Sequence, residues 1–329
     1  MANMSRAPKS NDWQPSAALS ELRFRADILA NIRAFFLARG VLEVETPLMC
    51  RASVTDPFID SIPALYQAHP QETAERFYLQ TSPEYAMKRL LAAGSGSIFQ
   101  LCKAFRQAEN GRVHNPEFTM LEWYRIDFSH LQLMKEIDEL LQTIFHTPPA
   151  NYISYHQLFH DCLDVDVRHA TLDTLKQCAI ANEIHTAAEI TDCDTWLNLL
   201  MTHCIEPALG SDRPCFIFDF PASQAALARI NPDGETAARF EVYYHGMELA
   251  NGFHELQDAN EQRKRFEKNN AARRELQLEV MPIDELFLAG LHSGLPDCAG
   301  VALGVDRLVM LAAGKNSIHD VISFDVSRV

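Results

Sequence analysis

The sequence predicts an α+β fold in which helices flank a mainly antiparallel sheet, and three observations carry that expectation. Apolar residues Leu22, Ile28, Leu29, Ile32, Phe35 and Phe36 recur at helical spacing between Ser20 and Arg39. Two strand-like runs, Phe99 to Arg106 and Glu117 to Tyr124, flank a polar loop, and a longer run from Phe240 to Phe253 is interrupted only by His245-Gly246. A glycine-bearing apolar run, Ala299 to Gly304, then opens a last helix at Asp306. Runs joined by such short turns pair antiparallel, which separates this pattern from an alternating βαβ chain.

The elements follow in order. Residues 1–17 contain Ser5, Pro8, Ser10, Asn11 and Pro15 with little periodicity and read as a flexible tail, leaving 18–329 as one domain. Gly40 stands where the first helix needs a left-handed cap, and Val41 to Pro47 reads as a short strand stopped by its proline. Ser82-Pro83-Glu84 opens another helix, with Ser82 as N-cap and Pro83 at the first helical position, and Gly94 closes it. Residues 130–210 carry helical patterns broken at Pro148-Pro149 and read as a helical insertion. Strand character returns at Cys215 to Phe220, and a charged helix spans Asn260 to Glu275.

Composition narrows the function. The 329 residues carry 29 Lys+Arg against 44 Asp+Glu, a net charge of −15 that opposes a long phosphate backbone and disfavours a large tRNA footprint. Eight cysteines occur without a Cys-x-x-Cys pair, so neither a zinc knot nor a redox dithiol is indicated. No apolar run approaches the roughly 20 residues that span a bilayer, and the polar N-terminus has no hydrophobic stretch before a cleavage site. A cytoplasmic protein with no membrane contact is the expectation.

Three constellations carry chemistry. The loop from Arg106 to Asn115 holds Arg106, Glu109, Arg112 and His114 between two strands, where an arginine fork suits a phosphate and Phe118 offers an aromatic face to a base. If His245-Gly246 is a two-residue turn, Tyr243 pairs with Glu248, and alternation puts Glu241, Tyr243 and Glu248 on one sheet face. Paired carboxylates on a rigid face suit Mg²⁺ carrying a polyphosphate, although a solvated acidic face is the plain alternative. Glu255 falls on the opposite face of a regular strand and needs a bulge or bend at Gly252 to join them. In Ala299 to Leu308 the small residues let a ligand approach the backbone, and Arg307 in the first helical turn can meet a phosphate. No Gly-Lys-Ser/Thr phosphate loop is present.

Together and in this order, Gly40 to Pro47, Phe105 to Glu122 and Gly300 to Arg307 resemble motifs 1, 2 and 3 of class II aminoacyl-tRNA synthetases. His114 to Glu122 and Glu248 to Leu256 look like the lysine branch, and the likeness runs from about residue 18 to 326. Motif 1 begins at Gly40, which leaves no room for the anticodon-binding domain of the lysine enzyme, and the combination is similar to the elongation factor P lysyltransferases. The resemblance implies a class II synthetase-like catalytic domain that uses ATP and Mg²⁺, activates lysine or β-lysine, and transfers it to elongation factor P as a homodimer, with no tRNA.

The same resemblance assigns the residues. Arg106, Arg307 and Glu248 would be catalytic, with Arg106 on the α-phosphate and Arg307 on the terminal phosphate. Glu109, His114, Asn115, Phe118, Glu248, Leu249 and Gly304 would complete the ATP site, and Glu241 and Glu248 would bind the metal. Ser82, Glu84, Tyr124, Asn251, Glu255 and Ala302 would line the amino-acid pocket. Two places depart from the synthetase pattern: Ala108 stands where the lysine enzyme has an acid, with Glu109 following, and Ala302 replaces the middle glycine of motif 3. Ala302 is expected to disfavour α-lysine and to leave β-lysine accommodated. A truncated synthetase charging tRNA, or a non-catalytic amino-acid sensor, would share these motifs. A sensor, however, has no use for Arg106, Glu241, Glu248 and Arg307 together.

Overall fold

The computed structural model describes residues 13–186 and 190–329. Helix α1 (Leu19–Leu37) buries Ile28, Ile32, Phe35 and Phe36, and Gly40, at φ +65°, turns the chain into β1 (Leu42–Glu43). Strands β2 (Met49–Cys50), β3 (Pro63–Tyr66) and β4 (Glu75–Leu79) form a small antiparallel sheet in the order β2-β4-β3. Helix α2 (Glu84–Ala92) leads into the hairpin of β5 (Ile98–Phe105) and β6 (Glu117–Ile126). Helix α3 (His130–Phe145), started by a capping box between Ser129 and Gln132, precedes β7 (Asn151–Ser154) and helices α4 (Tyr155–Leu163), α5 (Leu172–Ala181) and α6 (Cys193–Leu200). Strands β8 (Cys215–Pro221), β9 (Thr236–Tyr244) and β10 (Met247–His254) follow, then α7 (Ala259–Glu275), α8 (Glu285–Gly294), β11 (Cys298–Gly304) and α9 (Val305–Ala312).

Eight strands form the main sheet in the order β1-β5-β6-β11-β10-β9-β8-β7. The outermost pairs, β1 with β5 and β7 with β8, are parallel, and the rest are antiparallel. The back of this sheet is the main core. Phe99, Leu121, Trp123, Phe216, Phe240, Val242, Val301 and Leu303 meet the apolar faces of α1, α3 and α9 there, with Phe36 stacked on Phe99 at 4.6 Å between ring centroids.

The front is covered only at its ends. Helices α2, α7 and α8 pack over Ile98, Tyr124 and Cys298 at one end, and α4 to α6 pack over Cys215, Ile217, Phe220 and Tyr243 at the other. Between them the front of the central strands is left partly uncovered, with Asn251, Phe253, Ala302 and Gly304 only half-buried, and forms a trough.

The structure corrects several boundaries. The region 130–210 is not one helical insertion: α3 belongs to the main core through Leu133, Met134, Ile137, Leu140 and Leu141, and β7 extends the main sheet. Only α4 to α6 form the separate helical pack, because their apolar faces are filled by β8. Of the expected tail, residues 1–12 lie outside the described residues. By Ser16 the chain is fixed, since its N–H meets the Ser323 carbonyl at 2.8 Å and its hydroxyl donates to Asp325 at 2.8 Å, with Ala17 buried beside it. Helix α2 starts at Glu84 rather than Pro83, yet Ser82 still accepts the Glu84 N–H at 3.0 Å, so its hydroxyl caps the turn from one residue further out. Among the described residues no helix is long and apolar enough to cross a membrane.

Candidate active site

The trough is built by register. His245 and Gly246 both have positive φ, +50° and +68°, which makes the tight turn expected of this hairpin and pairs Tyr243 with Glu248. The ladder then slips between Glu248 and Ala250, so that Asn251, not Ala250, stands opposite Glu241. One extra residue, Leu249, reverses the alternation of everything after it. Glu248, Asn251 and Glu255 therefore all face the trough. The bulge expected at Gly252 sits three residues earlier, and Gly252 has another reason to be glycine: a Cβ there would lie 2.2 Å from the ring of Phe240 on the back face.

Continuing across the sheet, Glu241, Asn251, Ala302, Glu122 and Gln100 form one row on five strands. A neighbouring row sets Phe253, Gly300 and Tyr124 side by side. Gly300 leaves the space that Tyr124 and Glu255 use, since a Cβ would come within 2.3 Å of the tyrosine ring and 2.4 Å of Glu255 Oε1.

One end of the trough is acidic and buried. Glu122, 2% exposed, accepts from Ser82 Oγ at 2.7 Å and from Tyr124 OH at 2.6 Å. Glu84 and Glu255 share the ammonium of Lys88 at 2.6 and 2.5 Å. Burial, reinforced by Glu84, pushes the Glu122 carboxyl up to about 8, against the hydrogen bonds from Tyr124 and Ser82. Glu255 is raised to about 7, first by burial, with Lys88 opposing and Glu84 adding to the rise. On their outer side Ser82 and Glu84 also line a cleft that runs past Cys50, Arg89 and Asp284.

The other end is rich in arginine. Arg307, in the first turn of α9, donates to the Glu248 carbonyl at 2.8 Å, the Val113 carbonyl at 3.3 Å and His114 Nε2 at 2.6 Å. Burial and the neighbouring guanidinium hold His114 below its ordinary range, in keeping with an imidazole that accepts. Asp306 fixes this turn: buried, it accepts the Thr119 N–H at 2.8 Å and pairs with Arg25 of α1 at 2.6 Å, which joins the first helix, β6 and α9. Arg106 lies over the ring of Phe118 at 5.1 Å and pairs with Glu109 at 3.4 Å. Ala108 has φ +62°, a left-handed turn that carries Glu109 back toward the arginine. Glu241 accepts from Tyr243 OH at 2.7 Å and pairs with Arg239 at 2.5 Å. Glu248, half-exposed, is pushed up to about 7 by desolvation in the cleft and by Glu241.

The expected site residues do not all take part in the same way. Leu249 buries its side chain in the main core at 2% exposed, so only its bulged backbone is available to a ligand. The Asn115 amide is committed to the Glu117 carbonyl at 2.7 Å and the Val326 N–H at 3.0 Å, which makes it a brace between the loop and the C-terminal segment. Gly304 caps α9, and a Cβ there would meet only ordinary contacts at 3.8 and 3.9 Å. Three groups escaped the sequence reading: Glu122, Lys88 and Arg239. Lys88 stands four residues after Glu84 on one helix, and Arg239 two before Glu241 on one strand face, so both spacings were present as signals.

No group of three or more His, Cys, Asp or Glu side chains able to hold a metal ion occurs among the described residues. Glu241 stands close enough to Glu248 to raise its carboxyl, and two such oxygen donors suit a hard cation that brings most of its own ligands, as Mg²⁺ on a polyphosphate does.

Fold, row and trough define a class II synthetase core, and the comparisons agree. The model of the class II tRNA synthetases (D, K and N) matches residues 9–328, and the chain belongs to that family. It is 52% identical over 318 residues to the elongation factor P–(R)-β-lysine ligase of Klebsiella pneumoniae (strain 342), covering 96% of this chain and 98% of the relative. The protein of the same name from Salmonella paratyphi B (strain ATCC BAA-1250 / SPB7) gives the same identity and coverage.

A pH dependence follows from the acidic end. An unfolded glutamate ionises near 4.3, whereas folded Glu122 holds its proton to about 8, so the folded state binds more protons over that interval and loses stability as pH rises through it. The melting temperature of the ligand-free protein should fall by roughly 2–5 °C between about pH 5 and pH 8. Glu122→Gln, which imitates the protonated acid, should flatten that slope in calorimetry.

Proposed function

We propose that this protein activates a lysine-type amino acid, (R)-β-lysine by preference, as its adenylate with ATP, and transfers it to the ε-amine of a lysine on elongation factor P. The observation that carries the reading is the polarity of the trough: three carboxylates and one ammonium at the buried end, and the arginines Arg106, Arg239 and Arg307 with the carboxylates Glu109, Glu241 and Glu248 at the other. An amino acid with two ammonium groups and one carboxylate fits that gradient only one way round. Near end-to-end identity with relatives named for this ligation supports the acceptor.

In this reading Glu84 and Glu255 receive ammonium groups, and Ser82, Glu122, Tyr124 and Asn251 complete the pocket. Arg106 grips the α-phosphate, Arg307 the terminal phosphate with His114 behind it, and Phe118 stacks on adenine beside Glu109. Leu249 and Gly304 contribute backbone, and Asn115 braces the loop. Glu241 and Glu248 hold Mg²⁺, which when bound neutralises charge on the phosphates. A carboxylate oxygen of the substrate attacks the α-phosphorus in line, and the bond to the bridging oxygen breaks to release pyrophosphate. The two arginines, preorganised by their hydrogen bonds, stabilise the charge that builds there. The neutral ε-amine of the acceptor then attacks the carbonyl carbon; AMP leaves, the amine loses its proton, and an amide remains. The mixed anhydride is reactive enough that no protein nucleophile is needed.

Apolar side chains exposed on either side of the Gly40 turn, Leu37 of α1 at 79% and Leu42 of β1 at 55%, support a homodimer through these two elements. Sedimentation should give a dimer at micromolar concentration, and a monomer independent of concentration would refute it. The negative net charge supports a protein acceptor over tRNA.

Amino-acid-dependent ATP–pyrophosphate exchange tests the activation. Exchange is expected with β-lysine and is lost, by at least about 100-fold, in Glu248→Ala. A near-normal rate in that variant removes Glu248 from the site, absence of exchange in the wild type favours a sensor, and label transfer to tRNA instead of elongation factor P would indicate a synthetase.

The Ala302 methyl stands between Asn251 and Glu122 in the row, where it narrows the proposed amino-acid pocket. One methyl is worth about 1–3 kcal/mol, so β-lysine should be favoured over α-lysine roughly 10- to 100-fold in kcat/KM, with the gap narrowed in Ala302→Gly. Equal turnover of the two amino acids by the wild type would refute this role.

A further inference from the structure

Lys88 has no part in the mechanism above, yet it is 1% exposed and its ammonium bridges Glu84, one turn earlier on α2, and Glu255, the residue just after β10. Glu255 is equally buried, and apart from this ion pair neither of its carboxylate oxygens has a hydrogen-bond partner. Two carboxylates so close in a desolvated pocket repel each other, and one takes up a proton unless a cation holds both. An unpaired acceptor is left over: with Lys88 on Glu255 Oε2, Oε1 stays free beside Gly300 and Tyr124.

We propose that Lys88 is a positioning residue whose ammonium keeps Glu255 anionic and holds Glu255 and Glu84 in orientation, so that their remaining oxygens receive an ammonium group of the substrate. This role rests on the reading of Glu84 and Glu255 as amino-acid ligands. It also sets the charge of the pocket. Glu122 keeps its proton to about 8, so the one lysine faces the two carboxylates Glu84 and Glu255, an excess of one acid that suits a substrate whose two ammonium groups and one carboxylate leave it a net cation.

The groups facing Glu255 decide the sign. Lys88 and Arg229 favour its anion, Glu84 opposes it, and Tyr124, hydrogen-bonded to Glu122, and Cys298 flank it. Burial alone would drive the Lys88 ammonium down, but Glu255 and Glu84 together push it above the ordinary lysine value, so it stays charged throughout the working range. Glu255 is already raised to about 7 with this cation in place. Without it the carboxyl moves higher, and at neutral pH the pocket presents an acid where the substrate needs an anion.

The test is the pH profile of amino-acid-dependent ATP–pyrophosphate exchange in wild type, Lys88→Met, Lys88→Gln and Lys88→Arg. Wild-type exchange with β-lysine checks the underlying reading; its absence sinks that reading rather than the role of Lys88. In Lys88→Met and the milder Lys88→Gln, KM for the amino acid should rise at least about tenfold at neutral pH while KM for ATP changes less than about twofold. The acid limb of kcat/KM should move up by about one pH unit or more, so alkaline pH restores much of the loss. Lys88→Arg, which keeps the charge, should hold the limb in place. A loss uniform across pH, an equal rise in KM for ATP, or no change overturns the proposal. Because removing one member of a buried pair is costly, folding is followed by circular dichroism. Failure of both neutral variants to fold anywhere between about pH 6 and 9 would assign Lys88 to the fold and also overturn it.

Discussion

Between Glu248 and Ala250 the ladder of β9 and β10 slips by one residue, and the two ends of the trough share a face because of it. Without that slip, alternation would send Asn251 and Glu255 into the back-face core with Phe240 and Val242, where an unpaired carboxylate is prohibitively costly. The bulged residue itself contributes by burying Leu249 as an anchor. A single backbone irregularity thus joins Glu241 and Glu248, at the arginine-rich end, to the buried acids at the other end.

Around that constraint the molecule holds charged groups in place from behind. Asp306 ties Arg25 of α1 to the amide of Thr119, so the turn that carries Arg307 is fixed to the first helix and to β6 at once. Tyr243 and Arg239 hold Glu241, and Ser82 and Tyr124 hold Glu122. The chemistry proposed here needs charges oriented before the substrate arrives, and each of these bonds removes a reorganisation that would otherwise accompany binding.

Local signals were sufficient wherever the contact was local. Gly40 and the His245-Gly246 turn need positive φ, and the sequence offers residues that tolerate it, so the first helix end and the pairing of Tyr243 with Glu248 beside the turn were legible. Motifs 1 to 3 were legible as an ordered set, although each alone is weak. The small sheet of β2 to β4 was not, because its strands are short and largely exposed and carry no clear alternation. Nor was the membership of α3 in the main core, since helical period says which face is apolar but not which surface receives it.

The sequence by itself determined the class of fold, and through the resemblance of its ordered motifs it offered the candidates for the phosphate, metal and amino-acid sites proposed here. The motifs are legible because each is a run of residue types along one element. Tertiary structure alone decided that the bulge sits at Leu249 rather than Gly252, that Asn115 braces the C-terminal segment, and that Lys88 stands between Glu84 and Glu255. Each of these depends on partners far apart in the chain, where packing, not propensity, selects among positions that local rules leave equivalent.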